Sequence, residues 1–200
     1  MPAPAAASDR GDQLAAVLKR DPIYVTDHAP RALPADAAAR IKASVSRLGV
    51  PAFVAVTPSL PNEDADDLVA LLHDRLDKNG LYIVVAPSGT PGEARQFGSG
   101  RVLDAEMSWS AANNELPTDA GAVKVIERFV EVSLSGKARE RRDNRAPRPP
   151  SRTRIALDAH DRTEKEAERK ETRAFAAGTA LSGVTILGGL VLLRRWRTRR

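Results

Sequence analysis

Short apolar runs alternate with amphipathic segments along the first two thirds of the chain. The runs at residues 23–25, 52–57 and 81–85 predict β-strands, and the last two contain so few polar positions that both faces should be buried. A short edge strand is expected at 95–97. Apolar residues at helical spacing predict helices over residues 13–20, 34–48, 64–79, 103–113 and 118–134. This alternation predicts an α/β fold, a small layered sheet of three or four strands covered by helices.

A second pattern is the uncharged run from Ala174 to Leu193. Twenty such residues would rise about 30 Å as a helix, which matches the hydrocarbon thickness of a bilayer. A buried core helix would normally keep a polar face. We therefore predict one C-terminal transmembrane helix, with Arg194, Arg195 and Trp196 at the membrane interface.

These patterns divide the chain into six parts. Residues 136–154 hold eight Lys and Arg but scarcely an aliphatic side chain, so an extended linker is expected there. The predicted parts are a disordered N-terminus (1–12), the α/β domain (13–135), the basic Pro/Arg-rich linker (136–154), a charged stalk helix (155–173), the transmembrane helix (174–193) and a basic tail (194–200).

The net charge of +5 conceals a strong asymmetry. Residues 136–200 carry 18 Lys and Arg against 8 Asp and Glu, whereas residues 1–135 are net acidic. Because the excess base flanks the apolar run, anionic lipid head groups of the bilayer are the expected partner. The basic linker has no aromatic side chains for base stacking, so nucleic acid is not expected. The absence of cysteine excludes disulfides and thiolate sites.

The charges flanking the anchor leave its orientation open. Five arginines after it favour a cytoplasmic C-terminus, but residues 154–173 carry six Lys and Arg before it. The small residues 5–8 resemble the end of a signal peptide whose earlier part would lie upstream. We expect the domain outside the cytoplasm, while the reverse, tail-anchored orientation stays open. Thr185, Gly188 and Gly189 could let two anchors approach closely as a homodimer.

Candidate chemistry gathers where predicted strands end. If the strands are parallel, Asp27, Glu63 and Asp64 follow the carboxyl ends of two of them and could offer hard oxygen ligands to Ca²⁺ or Mg²⁺. The alternative is structural, because carboxylates at 63 and 64 open a helix and Asp27 could hold a turn. His28 could act as a base near Asp27 or could simply be solvated. Ser88 lacks the glycine that a nucleophile elbow needs before the serine.

Several short motifs resemble the TPM domain family. They are Tyr24-Val25-Thr26-Asp27 followed by Ala32-Leu33-Pro34, then Phe53-Val54-Ala55-Val56-Thr57-Pro58, Gly80-Leu81-Tyr82-Ile83-Val84-Val85-Ala86 and Leu116-Pro117-Thr118-Asp119-Ala120. The likeness covers about residues 22–135. This family includes thylakoid-lumen proteins and bacterial proteins with an extracytoplasmic domain and a membrane anchor. The resemblance implies a compact α/β sandwich, divalent-cation binding and, in some members, weak acid phosphatase activity.

Two functions of different class follow. The preferred one is a single-pass membrane protein whose extracytoplasmic domain is an accessory or interaction module for an envelope or membrane protein, with no strong catalytic constellation. The alternative is a weak phosphatase assisted by a divalent metal at Asp27, Glu63 and Asp64.

Overall fold

The computed structural model describes residues 4–28, 33–58, 64–98, 100–144, 146–167 and 169. It divides into two units, Met1–Arg152 and Thr153–Arg200. The elements of the first unit are α1 (Pro4–Leu18), β1 (Ile23–Val25), α2 (Ala37–Ser46), β2 (Ala52–Val56), α3 (Ala65–Leu76), β3 (Gly80–Val85), β4 (Gly92–Phe97), α4 (Ala105–Glu115), α5 (Ala122–Ser135) and α6 (Ala138–Asp143).

The described residues form a four-stranded sheet in the order β1-β2-β3-β4. β1, β2 and β3 are parallel, and β4 pairs antiparallel with β3. β2 and β3 are buried along almost their whole length, as their uninterrupted apolar sequences predict. The predicted α/β class is therefore confirmed, and the short strand predicted at 95–97 is the end of β4.

Two helical layers cover the sheet. Alternate side chains of β2 and β3, such as Val54 and Ile83, face α2, α4 and α5 on what we call the first face. The intervening side chains, such as Phe53 and Tyr82, face α1 and α3 on the second face. α5 supplies Ile126 and Phe129, both fully buried, to the first-face core.

The two β-α-β crossovers have opposite hands. Both step in the same direction across the sheet, from β1 to β2 and from β2 to β3. However, α2 packs on the first face and α3 on the second. Two crossovers of the same hand would place both helices on one face, so one of them is left-handed, an arrangement found in only about 2% of parallel connections.

Three predicted helix starts are wrong. α1 begins at Pro4, within the expected disordered N-terminus, because Leu14 and Leu18 bury its face against α3. α2 begins at Ala37 rather than Pro34. α5 begins at Ala122 and its N-cap is Gly121, so Thr118 does not cap the helix.

The free edge of β4 is covered by side chains. In β4, the backbone groups of Gly92, Ala94 and Gln96 point away from β3. The Trp109 indole donates a 2.6 Å hydrogen bond to the Gly92 carbonyl, and the Glu93 carboxylate accepts one of 3.2 Å from the Ala94 N–H. These bonds occupy groups that a further strand would need.

The expected extended linker is partly folded, which corrects the prediction for residues 136–154. Residues 138–143 form α6, whose Ala138 is 4% exposed in the first-face core. Arg141 lies 3.4 Å from Glu115 at the end of α4. Beyond α6, Arg148 donates to the Asn113 carbonyl, and the backbone N–H of Arg152 donates to the Asp119 carboxylate. Two arginine side chains and one backbone N–H of this segment therefore find partners on the domain, which composition alone does not reveal.

In the second unit, residues 153–167 continue a helix that starts at 152 and exposes nearly all its side chains to solvent. Pairs one turn apart, such as Arg154 with Asp158 at 3.1 Å, follow its charge pattern. Across the part of the chain that the structure describes, no helix has the length and apolarity needed to cross a membrane. The predicted span from Ala174 to Leu193 and the interfacial residues Arg194, Arg195 and Trp196 lie outside the described residues.

The environment of Glu93 predicts a pH-dependent stability effect. Burial raises the pKa of the Glu93 carboxyl above its ordinary value, although the hydrogen bond from Ala94 opposes this. When the pKa of a group is higher in the folded than in the unfolded state, the group contributes its full stabilisation at pH values below the unfolded-state pKa. This contribution is lost as the pH rises through the folded-state pKa. Glu93→Gln, which keeps an acceptor but carries no charge, should therefore raise the melting temperature relative to the parent at pH 7 and less at pH 4. Glu140→Gln, at an exposed glutamate, is the control; an equal shift at both pH values contradicts the assignment.

The contact of α6 with α4 can be tested by proteolysis. Glu115 accepts from both Arg128 and Arg141, whereas Glu131 contacts Arg128 but makes no ion pair with Arg141. Glu115→Ala should accelerate trypsin cleavage after Arg141 by up to about fivefold, because the loss of a partly exposed ion pair is worth at most about 1 kcal/mol. Glu131→Ala is the matched control and should leave that rate unchanged. Equal rates in all three proteins would mean that the pair does not hold α6.

Candidate functional site

The carboxyl ends of β1, β2 and β3 meet at one edge of the sheet. The residues that follow them are 26–28, 57–58 and 86–91. The turn before α5 joins this edge because Gly121 donates its N–H to the Ser88 carbonyl at 2.8 Å, and Ala122 donates to the Pro87 carbonyl at 3.1 Å. In open α/β sheets this edge is the usual position of a binding site.

A cleft of about 590 Å³ lies between α1 and the second face of β1 at this edge. Its apolar wall comes from α1 and β1, and its polar end from the first residues beyond the strands. The wall includes Leu14, Val17 and Tyr24, and the polar end includes Arg10, Thr26 and Thr57. Thr26 and Thr57 are 4% and 6% exposed, so their hydroxyl groups are part of the folded structure and not of a solvated loop.

Arg10 closes the polar end of this cleft. Its guanidinium donates to the Thr57 hydroxyl at 2.7 Å and to the Pro58 carbonyl. α1 places Arg10 one turn before Leu14, which is buried against α3, so the packing of the helix sets the position of the arginine. A guanidinium beside two hydroxyl groups is suited to a carboxylate or another oxyanion.

A second cleft of about 390 Å³ lies where α2 and the start of α5 meet the loop at 87–88. Arg40, Lys124 and Arg152 contribute to its lining together with Asp119. Arg40 is paired with Glu127 at 2.7 Å, and this hydrogen bond raises the pKa of Arg40. Asp119 accepts the N–H of Arg152 through one carboxylate oxygen at 2.8 Å, while its other oxygen is buried without a hydrogen-bond partner in the described residues. The cleft is therefore predominantly basic.

The predicted metal ligands are seen only in part. The Asp27 side chain is 90% exposed, with the ring of His28, itself 80% exposed, 3.7 Å away. Asp64 caps α3, accepting a 3.1 Å hydrogen bond from the Asp66 N–H, as the structural alternative expects. Glu63 lies outside the described residues. Within the described ranges, no three His, Asp or Glu side chains are placed to hold one metal ion.

Ser88 and a histidine on α3 have structural contacts. The Ser88 hydroxyl donates to the Thr90 carbonyl at 2.6 Å, within its own turn. His73 stacks on Phe97 with ring centroids 3.9 Å apart and meets Tyr82 edge-on. These contacts explain the side chains without a catalytic role.

The residue that sequence reasoning missed is Arg10, because it falls in the segment expected to be disordered. The spacing of Arg10, Leu14 and Leu18 at four-residue intervals is the signal that could have revealed it, since it places the arginine in line with a buried helical face.

No family model, curated protein or solved structure matches this chain.

The two interpretations of Asp64 predict different mutant behaviour. If Asp64 acts as a helix cap, Asp64→Ala should lower the free energy of unfolding by about 1 kcal/mol. Asp64→Asn should be nearly as stable as the parent, because asparagine is an equally good cap. Adding millimolar Ca²⁺ or Mg²⁺ should not alter the melting temperature of any of the three proteins. If instead Ca²⁺ or Mg²⁺ stabilises the parent and neither variant, Asp64 is a metal ligand.

Proposed function

We propose that this chain is a single-pass membrane protein that presents a TPM-like α/β domain as an accessory or interaction module. The observation that carries the proposal is the uncharged run from Ala174 to Leu193, bounded by basic residues on both sides. Its proposed partners are the bilayer, with its anionic head groups, and a membrane or envelope protein. Two anchors pairing through Thr185, Gly188 and Gly189 would make the protein a homodimer.

The positions of the TPM-like motifs within the fold support this proposal. The three apolar motifs provide β1, β2 and β3, and the Leu116–Ala120 motif provides the turn that joins the carboxyl edge of the sheet. The motifs that carry the resemblance thus form three of the four strands and part of the lining of the second cleft.

The point at which the chain leaves the first unit also supports a role close to the membrane. Arg152 is bonded to Asp119, next to the loop at 87–88, so the tether starts from the edge of the sheet that bears both clefts. A binding edge that carries the tether is suited to a partner that is itself in or near the membrane.

The described residues favour a non-enzymatic role over the metal-assisted phosphatase. Asp64 is engaged as a helix cap and Asp27 is almost fully exposed. Among the described residues that line the two clefts, no hydroxyl is hydrogen-bonded to a side-chain base, the arrangement that activates a nucleophile in covalent catalysis.

We propose that the domain lies outside the cytoplasm, with the terminal arginines inside. Because the chain has no cysteine, one introduced thiol reports the location of the domain. Val102 is 86% exposed, so Val102→Cys should be labelled in intact cells by a membrane-impermeant maleimide.

The parent chain, which has no thiol, controls for background, and lysed cells give the full signal. Labelling only after lysis would place the domain in the cytoplasm and contradict the proposed orientation. Recovery of the full chain in the soluble fraction, without detergent, would contradict the anchor itself.

A further inference from the structure

We draw no further inference here: the strongest candidate, the cleft of about 390 Å³ at the N-terminus of α5, rests on a helix N-terminus and on the exposed cations Lys124 and Arg152, its lining also includes the Asp119 carboxylate, and nothing in the described residues indicates what would bind there.

Discussion

The double-sided burial of β2 and β3 is the constraint on which the rest of the domain depends. Their side chains leave almost no surface to solvent on either face, so each face needs its own helical layer. Among the described residues, α1 and α3 cover the second face, and the two helices are joined by the Arg75–Asp12 pair at 2.6 Å and by the buried Leu14 and Leu18. The N-terminal helix is therefore an integral part of the core.

The class of fold and the positions of β1, β2 and β3 could be predicted from the sequence, because uninterrupted apolar runs have few other stable environments, whereas only the last three residues of the polar strand β4 were expected. The sequence did not predict which helix covers which face. A pattern of strand, helix and strand implies two right-handed crossovers, and one of the two departs from that expectation because α2 and α3 pack on opposite faces. Composition also gave two wrong predictions. The alanine-rich start of Pro4–Leu18 was expected to be disordered and the arginine-rich segment Ala138–Asp143 to be extended, but both form helices. Partners on distant elements, such as Glu115 for Arg141, decide those segments, and a local window contains no sign of them.

Of the candidate site, sequence reasoning located the correct edge but selected different residues on it. Strand ends at Thr26 and Thr57 could be read directly from the apolar runs, and both hydroxyls line the larger cleft. Carboxylates attracted attention as ligands, although Asp64 is satisfied by a backbone N–H only two residues away. The spacing of Arg10, Leu14 and Leu18 could have placed Arg10 on α1, but its contact with Thr57 spans 47 residues and depends on how α1 packs, which a local pattern does not show.

Docking of the basic segment sets the reach of the domain. Residues 136–152, if fully extended, could span up to about 55 Å, but the contacts of Arg141, Arg148 and Arg152 hold them against the domain. If the protein is anchored, these contacts shorten the flexible linker between the domain and the membrane, so that mainly the charged helix that follows sets the linker length. A shorter linker keeps the domain closer to the bilayer and raises its effective concentration with respect to a membrane-embedded partner. Loss of the Arg141 and Arg148 side-chain contacts would lengthen this connection and lower that effective concentration.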